Sequence, residues 1–159
     1  MAKAASNLPV TFFSIEDVTF EGDQRQGMQA LIKAFSSTLE VLCISDGDGA
    51  EQPGVYAACI EEGTALKTVR IFDDASVLTA QTFERLSFTA PHSSITLIEL
   101  DGEFELSERA VQLLPVCLPS LTTLRLSCTM ASVQGETLVA CVTKLKCLTR
   151  IECQQWSQW

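Results

Sequence analysis

A chain of 159 residues, 47% of them apolar, carries enough hydrophobic material for one packed core and too much for a disordered segment. Its net charge of −9 argues against nucleic acid and anionic lipid as partners, since both are held by clustered Lys and Arg. No run approaches the roughly 20 apolar residues of a membrane span, and the stretch from Met1 to Pro9 lacks the apolar segment of a secretory signal.

In chain order, Leu8–Phe13 reads as part of a cap over residues 1–14. From there an apolar-x-x-apolar-x-apolar pattern recurs six times: Ile15-Val18-Phe20, Leu39-Leu42-Ile44, Leu66-Val69-Ile71, Ile95-Ile98-Leu100, Leu121-Leu124-Leu126 and Leu148-Ile151-Cys153. The repeats begin near 15, 39, 66, 95, 121 and 148, so the period is 24–29 residues, the mark of a stacked repeat architecture. Each short run predicts a strand. Segments with helical spacing follow the first five: Gly27–Phe35, Gly54–Ile60, one from Thr79 through Leu86, one opening at Ser107 and one opening near Ser132. Thr79 predicts an N-cap, and Pro115 is expected to weaken the fourth helix. No linker or charge block divides the chain, so residues 1–159 read as one domain.

Strand and helix alternating at this period resembles the leucine-rich repeat, in its longer ribonuclease-inhibitor-like form. The resemblance spans about residues 15–153. It implies an α/β horseshoe with about six parallel strands on the concave face and helices on the convex face. The family's Asn or Cys after the strand is replaced here by Asp23, Gly47, Asp74, Glu103, Thr129 and Trp156, so the repeats are irregular. Neighbouring repeats must stack because one strand–helix unit cannot bury its apolar face alone.

Stacking puts equivalent outward positions side by side. One column reads Thr19, Cys43, Arg70, Glu99, Arg125, Glu152, and its last four members alternate in sign, a comb that either neutralises itself or, through Arg70, Glu99 and Arg125, contributes to binding a charged partner on the concave face. The flanking columns contribute Val41, Phe72 and Leu97, read as an apolar patch with its hot spot at Phe72 between Arg70 and Leu97. Asp46, Asp48, Asp73, Asp74, Asp101 and Glu103 follow their strands and predict an acidic rim. Residues 1–80 hold 5 basic and 12 acidic side chains and residues 81–159 hold 6 and 8, so an electrostatically recognised partner is expected to be basic and to dock on the N-terminal half. After the sixth strand the sequence runs to Trp159, too short for another helix. Trp156 and Trp159 are therefore expected to seal that open edge or to mark where a partner covers it.

Chemistry is sparse. Asp46-Gly-Asp48-Gly-Ala-Glu51 lacks the fifth and twelfth ligands of a calcium loop, and Cys141, Cys147 and Cys153 lack the close pairing of a zinc site. His92, the single histidine, lies in a turn-rich segment read as a solvated loop, and no nucleophile or phosphate-loop motif accompanies it. An odd count of seven cysteines and no N-x-S/T sequon predict free thiols in a reducing, cytoplasmic setting, with Cys43 the most reactive. The expectation is a non-enzymatic protein–protein interaction module or scaffold without cofactor or metal, holding a protein partner on its concave face or acidic rim. The alternative is a structural subunit of a larger assembly whose C-terminal edge a partner covers. The resemblance further implies GTPase regulators and ubiquitin-ligase substrate receptors. The regulator's Asn has no counterpart, since Asn7 precedes the repeats, and no adaptor-binding domain fits before Ile15.

Overall fold

The computed structural model describes residues 9–16, 24–46, 53–73, 92 and 94–153. Along these the chain forms β1 (Phe12–Glu16), α1 (Gln24–Ala34), β2 (Val41–Asp46), α2 (Pro53–Glu62), β3 (Thr68–Asp73), β4 (Leu97–Glu105), α3 (Glu108–Cys117), β5 (Thr123–Thr129), α4 (Gly135–Lys144) and β6 (Arg150–Cys153). Each strand pairs in parallel with the next, in the order β1-β2-β3-β4-β5-β6. The architecture is α/β with an all-parallel six-stranded sheet. The helix expected from Thr79 lies outside the described residues.

The three apolar letters of each repeat become three inward columns. Leu39, Leu66, Ile95 and Leu121 lead into the strands; Leu42, Val69, Ile98 and Leu124 form the second column; Ile44, Ile71, Leu100 and Leu126 form the third, and all are buried. Helix stripes close over them: Ile32 from α1, Ala57 and Ile60 from α2, Ala110, Val111 and Leu114 from α3, and Cys141 from α4. Each large aliphatic side chain removed from water contributes about 1.5–3 kcal/mol. α3 starts where its cap dictates, with Ser107 Oγ accepting from the Ala110 amide at 3.2 Å and Glu108 complementing the helix dipole. Pro115 lies inside α3 near its end and does not stop it.

Register is held by a second, polar repeat at the entry to the strands. The carbonyls of Thr11, Glu40, Lys67, Thr96 and Thr122 each accept two amides from the next repeat, at 2.8–3.1 Å. The hydroxyls of Thr96, Thr122 and Thr149 donate to the carbonyls of Lys67, Thr96 and Thr122, at 3.3, 3.0 and 3.2 Å. Lys67 Nζ reaches Glu40 Oε1 at 2.6 Å in the same column. A bulge between Asp101 and Glu105 interrupts the β4–β5 ladder, and Gly102 takes φ 144° there, a backbone that favours glycine.

The structure corrects the first repeat. Its described strand spans Phe12–Glu16, so part of the expected 1–14 cap is strand, whereas Val18 and Phe20 of the expected Ile15-Val18-Phe20 run lie outside the described residues. Phe13 pairs with Leu42 and Ile15 with Ile44, which makes Val10-Phe13-Ile15 the true apolar triplet. Val10 and Phe13 pack against the core as the pattern requires. The fifth-repeat helix likewise begins at Gly135 rather than near Ser132.

Two substitutions separate the apolar and polar repeats. Leu124→Ala is expected to lower unfolding stability by about 2–5 kcal/mol, and Thr122→Val by about 0.5–1.5 kcal/mol. Urea denaturation of both variants checks the ordering.

Candidate partner-binding face

The sheet face away from the core presents three columns of side chains, set by register alone. The middle one reads Ser14, Cys43, Arg70, Glu99, Arg125, Glu152. Its last four members pair as expected: Arg70 Nε lies 3.0 Å from Glu99 Oε2, Arg125 Nη1 3.6 Å from the same oxygen, and Arg125 Nε 2.9 Å from Glu152 Oε2. Arg150, on the same face of β6, also contacts Glu152. The Nε atoms of Arg70 and Arg125 are shielded from water yet lack hydrogen-bond alignment, so these contacts act as charge pairs. The comb balances its own charge and offers little to a partner.

The apolar patch is not where Phe72 suggests. Leu97 sits beside Thr68, and Phe72 beside Asp101, so the two lie on opposite sides of the Arg70–Glu99 pair. Four residues of strand separate Thr68 from Phe72, roughly 13 Å. The contiguous apolar row is Phe12, Val41, Thr68, Leu97, in neighbouring register across β1 to β4. Phe12 is 55% exposed, the largest exposed aromatic among the described residues, while Val41, Thr68 and Leu97 are half-buried. Residue-level reading of the sequence missed Phe12 because it placed the first strand too far along the chain. The triplet Val10-Phe13-Ile15 and its 29-residue step to Leu39 carry the signal that locates it.

The acidic rim is brought together only in part. Asp46 and Asp73 end β2 and β3 as register partners. Asp101 is not with them but lies on the open face beside Phe72. Glu103 falls within the bulged stretch of β4, whereas Asp48 and Asp74 lie outside the described residues, as do the calcium-like loop beyond Asp46 and both Trp156 and Trp159.

Two readings of single residues are corrected. Cys43 does occupy the outward column, yet it is only 7% exposed, so its position does not make it accessible. His92 is half-buried rather than solvated; its amide donates to the Cys117 carbonyl at 2.9 Å, and burial lowers its imidazole pKa against the opposing pull of Glu61. Burial pushes the Cys117 and Cys141 thiols up to about 11, and raises Cys128 to about 12 with help from nearby Cys153. Cys147 is exposed. Among the described residues no cluster of His, Cys, Asp and Glu could hold a metal, and no helix is long and apolar enough to cross a membrane.

Comparison with family models, curated proteins and solved structures gives no match.

Glu99 lies between two arginines and is the comb's central anion. Glu99→Ala is expected to cost about 1 kcal/mol and Glu152→Ala less, because Arg125 then keeps Glu99 and Arg150 turns to water. Thermal melts at low and high salt test this, and both losses are expected to shrink as salt rises. Iodoacetamide with mass spectrometry is expected to label Cys147 first in the folded protein and Cys43, Cys117, Cys128 and Cys141 only with denaturant. Early labelling of Cys43 contradicts the burial described.

Proposed function

We propose that the chain is a non-enzymatic interaction module of the leucine-rich-repeat kind, whose stacked repeats curve into a horseshoe and hold a protein partner on the concave face. The observation that supports this most is the division of the open sheet face. An uncharged apolar row, Phe12–Val41–Thr68–Leu97, runs beside a comb of Arg70, Glu99, Arg125 and Glu152 that balances its own charge. Sheet faces turned to water are normally polar, and an exposed aromatic anchor beside aliphatic neighbours is the composition of an interface hot spot.

The partner offers an apolar side chain to this row, with basic residues reaching Asp46 and Asp73 at the strand ends. The excess of acidic side chains in residues 1–80 supports a basic partner on that half. Cys43, Cys117, Cys128, Cys141, Cys147 and Cys153 form no disulfide, which supports a reducing, cytoplasmic setting.

Affinity capture with mass spectrometry, run on wild type and on a Phe12→Ser/Leu97→Ser double variant, tests the reading. The captured proteins are expected to disappear in the variant while circular dichroism stays unchanged. Their retention places the binding surface elsewhere.

A further inference from the structure

Burial along the second inward column changes abruptly at one end of the sheet. Leu42, Val69, Ile98 and Leu124 are at most 1% exposed, whereas Ile151, their counterpart on β6, is 42% exposed. Leu148 and Cys153, which end the other two columns, are only partly buried. β6 pairs with β5 on one side and, among the described residues, has no strand on the other. The Thr149 carbonyl stands at the next position of the polar ladder, where its predecessors each accept two amides.

We propose that copies of this chain associate head to tail, with β1 of one copy adding in parallel to the open edge of β6 of another. This goes beyond the concave-face reading and does not depend on it. The repeat register specifies the fit. Val10 falls beside Leu148, Phe13 beside Ile151 and Ile15 beside Cys153, so all three inward columns continue with apolar residues. Thr11 extends the column of Thr96, Thr122 and Thr149, and the Thr11 and Phe12 amides take the donor positions facing the Thr149 carbonyl. On the outward face Phe12, exposed in the single chain, falls against Arg150, an aromatic–cation pairing, and Ser14 falls beside Glu152.

Charge favours the same pairing. The β6 end carries Lys144, Lys146 and Arg150, all exposed, in a chain of net charge −9. The β1 end belongs to residues 1–80, which hold 5 basic and 12 acidic side chains, against 6 and 8 in residues 81–159. Such an acidic end next to a basic one attracts head to tail and repels head to head. The contact is heterologous, so it propagates rather than closing at a dimer.

Sedimentation velocity over a concentration series tests the proposal, with paired blocking variants. Phe12→Pro removes an amide on the side of β1 away from β2, where an edge strand tolerates proline, and Ile151→Asp blocks the β6 end. Wild type is expected to grow in mass with concentration and to dissociate in high salt. Each variant alone is expected to be monomeric, and an equimolar mixture of the two is expected to form a dimer and stop. Arg150→Glu, a surface change that leaves the core intact, is expected to weaken association about tenfold. A wild type that stays monomeric throughout overturns the proposal. So does self-association that persists in both blocked variants, or a mixture that gives no dimer while both variants keep the native circular dichroism spectrum.

Discussion

The carbonyl ladder at the strand entries is the constraint from which the rest follows. Thr11, Glu40, Lys67, Thr96 and Thr122 occupy equivalent places, and each carbonyl takes two amides from the repeat after it. Parallel strands admit register slips of two residues without turning an apolar face outward, so hydrophobicity alone does not choose among them. A carbonyl that accepts two amides at the mouth of each of β1 to β5 does choose. It also satisfies backbone groups where the chain enters the sheet, a place where buried amides would otherwise be costly.

Once register is fixed, the outer face is determined residue by residue. The alternating charges at Arg70, Glu99, Arg125 and Glu152 meet as neighbours only because the ladder aligns them. Their side chains keep part of their surface in water, so each pair adds roughly 0–1 kcal/mol and refines the arrangement without holding it. The same alignment separates Phe72 from Leu97 and joins Leu97 to Phe12 through Thr68 and Val41. The apolar row thus arises from the spacing between repeats as much as from composition.

Much of this was legible in the sequence. Five of the six apolar triplets lie where their spacing predicts, and the opening of a helix at Ser107 and the Arg/Glu column follow from residue identity and period. The first triplet was not, for a physical reason. Val10-Phe13-Ile15 and Ile15-Val18-Phe20 both satisfy the apolar template and overlap at Ile15, and only pairing with β2 distinguishes them. Cys43 shows a second limit: alternation tells which face a side chain takes, whereas its burial depends on its neighbours. Asp101 leaves the rim for a third reason: it stands beside Phe72, one position before the register level of Asp46 and Asp73, and the bulge only follows it.

The central claim is that the ladder starts at Thr11 and sets β1 at Phe12–Glu16. Residue-resolved amide hydrogen exchange on dilute protein tests it most directly. Slow exchange at Phe13, Ile15 and Val41, with fast exchange at Phe12 and Ser14, is the predicted pattern, because alternate amides of an edge strand face its single neighbour. Protection at Val18 and Phe20 with rapid exchange at Phe13 contradicts the account and restores the later register.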